Sequence, residues 1–291
     1  MKMNETNKSA ADIYVFDVDP NSDTAAANVL RLAGKDKDVL EIGAGPGSIA
    51  RPLVEKNGCR VTALEADPKC LPILRKFCVD VIHGDLNQPD WDKAFSGRSF
   101  DVIVIADVLE HLIDPWQTLR IARKLLRPNG TVVSSIPNAS HAAMIASILN
   151  NDVDYRDWGL LDRTHVRFFG AKNIQNLFRQ ADLKIVDARY VVRTPEMTEF
   201  VDTWRLTSAQ LRGALELPAF SQVYQTVVLA VDANSTRPEF ELVHNPPSKI
   251  DASLTVKLIG NIPQGTMVRS LIGRFLGKHG RKLIKNALGI R

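Results

Sequence analysis

The sequence predicts an α/β fold: a doubly wound, mostly parallel sheet finished by one antiparallel strand. Three observations carry this expectation. Short apolar runs alternate with segments of helical period through five rounds of roughly 20 to 30 residues, the order that crossover connections in a parallel sheet require. The most apolar run, Phe100-Asp101-Val102-Ile103-Val104-Ile105, has the composition of a strand covered on both faces. The first run, Val39-Leu40-Glu41-Ile42, passes into Gly43-Ala44-Gly45-Pro46-Gly47, three glycines at two-residue spacing where a strand feeds a helix.

In chain order, residues 13–21 alternate apolar and acidic side chains, and Ser22 and Asp23 can cap a helix reaching Leu32. After the glycine turn, Ser48 to Lys56 reads as helix. Arg60 to Glu65 is the second strand, and Asp67-Pro68 opens a helix with proline near its first position. Val79 to Asp85 is the third strand and the run at 100–105 the fourth. Asp114-Pro115 starts a helix through Leu126, closed by Arg127-Pro128-Asn129-Gly130, and Thr131 to Ile136 is the fifth strand. Past Pro137 come a helix over 140–149, then an aromatic and charged stretch from Asp154 to Phe169 without a clean period. That stretch is a candidate lid or substrate loop. Ala171 to Gln180 is helical, and Leu183 to Val192 and Tyr224 to Val231 are strand-type runs separated by a helix near 208–215. The expected organisation is a leading segment at 1–24, one domain over 25–232, a Pro-, Asn- and Ser-rich linker at 233–264, and a basic amphipathic tail at 265–291.

With 291 residues and 45% hydrophobic content the chain can fill a sizeable core. Cys59, Cys70 and Cys78 show neither pairing arithmetic nor a metal spacing, and read as reduced thiols. The polar first twelve residues lack a signal-peptide core, and no apolar run reaches the ~20 residues of a membrane span, so the expectation is a soluble, cytoplasmic protein. The net charge of +4 conceals an asymmetry: Ala252 to Arg291 carries eight Lys or Arg and no acid, leaving 29 basic against 33 acidic groups before it. A mildly acidic body argues against a nucleic-acid partner, whereas the tail suits peripheral contact with the inner membrane face or with another protein.

The glycine spacing separates two cofactor classes. A dinucleotide fingerprint needs a third glycine at position 48, which is Ser48 here; Gly-x-Gly-x-Gly after an acid, Glu41, is a different pattern. Glu65 ends the second strand, 22 residues after Gly43, where a carboxylate can accept both hydroxyls of a ribose; NAD enzymes use the same device. Gly84-Asp85-Leu86 follows the third strand. In this order Glu41, Gly43, Gly45, Gly47, Glu65 and Asp85 resemble the motifs of class I S-adenosylmethionine-dependent methyltransferases, over residues 25–232. The resemblance implies S-adenosylmethionine as cofactor, with the glycines against its methionine part, Glu65 at the ribose, and Asp85 with Leu86 at the adenine. Ala44 and Ala66, beside the glycines and Glu65, and Ala106 at the end of the fourth strand complete the expected cofactor-binding set.

The fourth strand runs into Asp107-Val108-Leu109-Glu110-His111, whose three polar residues would share one face of a helical turn. The segment resembles the E-x-x-E-H stretch of ubiquinone-pathway O-methyltransferases and small-RNA 2′-O-methyltransferases, in which it helps hold a divalent metal; Asp107 is one methylene shorter than the first Glu. Leu161-Asp162-Arg163-Thr164-His165-Val166-Arg167-Phe168-Phe169 resembles a block of bacterial methyltransferases associated with cell-envelope polysaccharides, which adds His165. Asp107, Glu110, His111 and His165 are therefore the catalytic candidates, serving as a general base or as holders of a divalent metal. His83 and His141 read as structural. The expected reaction is methyl transfer to a hydroxyl of a sugar or cell-envelope glycan, with Tyr155, Trp158 and Arg163 as acceptor contacts. The alternatives are a quinone-type or other small-molecule O-methyltransferase and a non-catalytic partner subunit of the same fold.

Overall fold

The computed structural model describes residues 9–88 and 90–250. The basic tail expected at 265–291 lies outside the described residues. The described residues divide into two compact units, one formed by 9–88, 90–138, 155–191 and 225–245, the other by 139–154, 192–224 and 246–250.

In chain order the elements are α1 (Ala10–Ile13), α2 (Ala25–Ala33), β1 (Asp38–Ile42), α3 (Ala50–Glu55), β2 (Arg60–Glu65), α4 (Leu71–Leu74), β3 (Asp80–His83), β4 (Phe100–Ala106), α5 (Pro115–Lys124) and β5 (Leu126–Pro137). They continue with α6 (Ala142–Leu149), α7 (Ala171–Arg179), β6 (Leu183–Val192), α8 (Val201–Leu206), α9 (Ala209–Glu216) and β7 (Val223–Asp232). The seven strands form one sheet in the order β3-β2-β1-β4-β5-β7-β6. β1 pairs in parallel with β2 and β4, and β4 with β5, while β7 runs antiparallel to β5 from Val132↔Ala230 to Pro137↔Gln225. The expected fold class is thus the observed one. Strand order reverses between β1 and β4, which opens a crevice at their carboxyl ends, the place where such sheets take ligands.

The sheet is built where the apolar runs are. Val39, Leu40, Ile42, Ile103, Val104 and Ile105 are completely buried, and each such side chain contributes roughly 1.5–3 kcal/mol relative to exposure. α2 lays Ala27, Val29, Leu30 and Ala33 against β4 and β5. Its cap is Thr24, whose hydroxyl accepts from Ala27 N at 3.2 Å, rather than Ser22 or Asp23; the Ser22 hydroxyl instead donates to the Asp19 carbonyl at 2.7 Å. Asp114 caps α5 as expected, accepting from Gln117 N at 2.8 Å. α4 starts later than Asp67-Pro68, because the Asp67 side chain closes a turn on Lys69 N at 2.9 Å.

Residues 233–245, read from composition as linker, are bonded to α7: Leu242 is fully buried and its N–H donates to Gln175 at 3.0 Å, while Arg179 pairs with Glu239 and Glu241. In the other unit, buried Trp204 of α8 packs on Ala142 and Ala146 of α6 and donates its indole N–H to Glu196 at 2.9 Å. α8 has only six residues, too few to show a helical period, and was not expected. No helix among the described residues is long and apolar enough to cross a membrane.

Candidate active site

The glycine turn sits at the carboxyl end of β1, tied to β2 by the N–H groups of Gly43 and Ala44, which donate to the Leu64 carbonyl at 2.9 and 3.2 Å. All three glycines have positive φ, at 72°, 52° and 86°, but they are needed for different reasons. A Cβ on Gly43 would lie 2.6 Å from Val108, and one on Gly47 would lie 2.4 Å from Phe77, so these two let side chains pack behind the turn. A Cβ on Gly45 would meet nothing within 4 Å. Its side of the turn is open.

Two acids frame that opening. Glu65 is buried, and its carboxylate accepts from Gly45 N and from Asp67 N, both at 2.7 Å, which braces the turn. Glu41 is buried on β1 with Oε2 lacking any partner. Burial, and then the charge of Glu65, push its carboxyl well above the usual carboxylate range. An unpaired buried oxygen is costly unless a ligand donates to it. Asp85, exposed beyond β3, accepts from Asn87 N at 2.9 Å beside half-buried Leu86. Exposed Ala66 offers its carbonyl to His83 Nε2 at 3.0 Å, and half-buried Ala106 ends β4.

Across the crevice, Asp107 adopts φ 53°, a conformation uncommon for a residue with a side chain, and its Oδ1 accepts from Gln225 at 2.8 Å. The next residues form a 3-10 turn, Leu109–His111. Glu110 there is 1% exposed and neither carboxylate oxygen has a partner. Burial raises its pKa well above the ordinary value, and the charge of Asp107 adds to this. The Glu110 carbonyl accepts from Val166 N at 2.9 Å and Arg167 N at 3.0 Å, which fastens the 161–169 block against the turn.

This fastening brings two histidines together. His111 Nδ1 lies 3.2 Å from the Thr164 carbonyl and 2.9 Å from its hydroxyl, and His165 Nδ1 lies 3.2 Å from the Leu160 carbonyl. A carbonyl can only accept, so each Nδ1 carries the hydrogen and each Nε2 keeps its lone pair. His165 Nε2 is 3.9 Å from Glu110 Oε1, the two rings stand edge to face at 4.7 Å, and burial pushes both imidazoles below their usual pKa.

Ligand atoms of Glu110, His111 and His165 lie within 4.8 Å of one another, the one such group among the described residues. Asp107 is outside it. It precedes the 3-10 turn and is held by Gln225, so the shared helical face expected for Asp107, Glu110 and His111 does not form. An orphaned buried carboxylate with two imine nitrogens, each backed by a carbonyl on the other ring nitrogen, is a donor set that fits a divalent cation. Without one it offers two neutral bases.

Sequence reasoning missed Tyr14 and Asp162. The Tyr14 hydroxyl donates to buried Asp162 at 3.2 Å, and burial raises its pKa to about 12. Tyr14 belongs to no motif, and Asp162 stood in the block quoted for His165 without a role. His141, by contrast, has both nitrogens bonded, to Ala143 N and the Arg193 carbonyl, and is the structural histidine expected. Of the expected acceptor contacts, Tyr155 and Trp158 are about half exposed, and Arg163 is paired with Asp157 at 2.8 Å.

The family described as a methyltransferase domain matches residues 21–188. The ubiquinone biosynthesis O-methyltransferase of Cereibacter sphaeroides (strain ATCC 17025) is 29% identical over 167 residues, covering 54% of this chain and 64% of that protein. The protein of the same name from Ruegeria pomeroyi is 30% identical over the same shares. The chain therefore spans just under two thirds of the length of these curated relatives. Among solved structures, the CcbJ methyltransferase from Streptomyces caelestis matches with a TM-score of 0.50 and 17% identity, over 77% of this chain and 96% of that one, a likeness of fold.

Proposed function

This chain belongs to the methyltransferase-domain family of S-adenosylmethionine-dependent enzymes, and from that premise we propose that it transfers a methyl group to a hydroxyl oxygen of a small, quinone-type molecule. The observation that carries the reading is Glu110, buried and unpaired between two histidines whose Nε2 atoms are free to accept.

S-adenosylmethionine supplies a methyl already activated on a sulfonium. The residues that would hold it are Glu41, Gly43, Ala44, Gly45, Gly47, Glu65, Ala66, Asp85, Leu86 and Ala106; the open side of Gly45 and the orphaned oxygen of Glu41 fit such a ligand. The remaining work is to set an acceptor oxygen in line and to take its proton. His111 and His165, held neutral by burial, offer Nε2 as base, and Glu110 is the neighbour able to share the proton. A divalent cation, if the protein takes one, would be held by Glu110, His111 and His165 and would lower the pKa of the hydroxyl.

The names of the 29–30% identical relatives support the quinone-type acceptor, as does the half-exposed ring of Phe168, whose centroid lies 6.5 Å from that of His165. The glycan acceptor is the second reading, favoured by the half-exposed rings of Tyr155 and Trp158. The test is transfer of labelled methyl to a dihydroxybenzene and to hexose acceptors, with and without chelator, by wild type and His165→Ala. Labelled phenol ether from wild type alone supports the first reading, and label only in the hexose moves the assignment to the second. Unchanged turnover in His165→Ala removes that residue from the chemistry.

A further inference from the structure

The transfer reading leaves residues 9–18 without a task. Val18 is tied to Lys56 at the end of α3, whereas bonds of Ala10, Tyr14 and Phe16 fall around the crevice. Ala10 N donates to Asp67 at 2.9 Å, beyond β2. The Ser48 hydroxyl, just after the glycine turn of β1, donates to the Tyr14 carbonyl at 2.8 Å and accepts from Phe16 N at 3.1 Å. The Tyr14 hydroxyl reaches Asp162, on the histidine side beyond β4. Since β1 lies between β2 and β4, this segment is a strap crossing the carboxyl edge of the sheet over the glycine turn. Ser48 stands where a dinucleotide fold would need glycine, and its side chain is the latch.

At the far end of the strap the hydrogen bonds have a defined direction. Asp162 is 3% exposed and acceptor-only; its Oδ1 takes the Thr164 N–H at 2.8 Å and the Thr164 hydroxyl at 2.6 Å, and its Oδ2 takes the Tyr14 hydroxyl. With its proton committed to Asp162, the Thr164 oxygen can present only a lone pair to His111 Nδ1, 2.9 Å away. The hydroxyl thereby adds a second acceptor to the Thr164 carbonyl, 3.2 Å from the same nitrogen, and the two together keep the hydrogen on Nδ1 and leave Nε2 as the base. Orientation of a catalytic histidine by a hydroxyl and a buried carboxylate is what second-tier hydrogen bonds accomplish elsewhere in enzyme chemistry.

We propose that Tyr14 is a positioning residue for the transfer reaction: docking of the strap pins Asp162, Asp162 orients the Thr164 hydroxyl, and Thr164 holds His111 in the tautomer with Nε2 free. The proposal rests on the methyl-transfer reading for its purpose, and the geometry joins the cofactor side of the crevice, through Ser48, to the histidine on the other.

The experiment uses the full chain in chelator, with ring-15N-labelled histidine, at a pH where the imidazoles are neutral. The His111 signals are assigned by their loss in His111→Gln, and matched amide spectra establish that each variant is folded. Wild type and Thr164→Ser should show the Nδ1–H form. Thr164→Val, which keeps the carbonyl and loses the hydroxyl, should shift the signals in part toward the Nε2–H form, and Tyr14→Phe and Ser48→Ala should shift them the same way by a smaller and similar amount, because both take the Tyr14 donor from Asp162 Oδ2. Unshifted signals in both Tyr14→Phe and Ser48→Ala overturn the proposal. Calorimetry with S-adenosylhomocysteine on the same samples judges the other reading: no binding to wild type overturns methyl transfer, and the tautomer result still decides the relay.

Discussion

β1 and β4 are neighbours in the sheet, and the two halves of the candidate site grow from their carboxyl ends by different means. On the β1 side the geometry is local backbone: positive φ at three glycines, two N–H groups bonded to Leu64, and a brace from Glu65, all within about 25 residues. On the β4 side it is long-range contact, with the His111 side chain bonded to Thr164 and the Glu110 backbone carbonyl holding Val166 and Arg167. A turn shaped by backbone tolerates almost no change in residue type, whereas a cluster shaped by packing tolerates substitution but depends on every partner being present.

The largest expected effect is Gly47→Ala. Its Cβ would meet Phe77 at 2.4 Å and Leu74 at 3.0 Å in a left-handed conformation, which should cost about 3 kcal/mol in urea unfolding. A loss under about 1 kcal/mol would mean the β1 side is not backbone-shaped.

The β4 side is distinguished by pH. The folded state raises the pKa of Glu110, by burial first and then by the charge of Asp107. The stability this group contributes is therefore full below its unfolded pKa, about 4.3, and is lost as pH rises through the folded value. In chelator, wild-type stability should fall over that rise and Glu110→Gln should flatten the fall in part. Glu41 has the same sign, so the double variant with Glu41→Gln should flatten it further. An unaltered slope in Glu110→Gln would move the effect to the other buried acids whose pKa is raised, Glu41 and Asp107.

Gly45→Ala is a milder change, because it is strained but not crowded. It should lose about 1 kcal/mol of stability while weakening S-adenosylhomocysteine binding by more than that loss, read by calorimetry. Equal losses would make Gly45 another packing glycine. The smallest effect is Arg163→Ala. Its pair with Asp157 is exposed at the arginine, by 59%, so thermal unfolding should move by less than about 0.5 kcal/mol. Any loss of methyl transfer would then report on the acceptor.

How much was legible follows the same division. β2 over Arg60–Glu65 and β6 over Leu183–Val192 have the limits their strand-type runs predict, because that signal is carried by adjacent residues. α8, with six residues, and the segment holding Leu242 carried no period, and only packing reveals them. Asp107 was placed with Glu110 and His111 on helical spacing; a residue at φ 53° followed by a 3-10 turn breaks that spacing. Tyr14 was invisible because its partner lies 148 residues away.

Residues adjacent in the chain fix the alternating α/β order, the glycine turn and the acids within β1, at the end of β2 and beyond β3. The sequence also named three of the side chains that cluster at the end of β4. Folding in three dimensions sets Asp107 apart, leaves Nε2 of the two histidines free, and lets Tyr14 and Ser48 join one side of the crevice to the other. Hydrogen-bond direction depends on which donor faces which acceptor in space, and chain order carries no record of that.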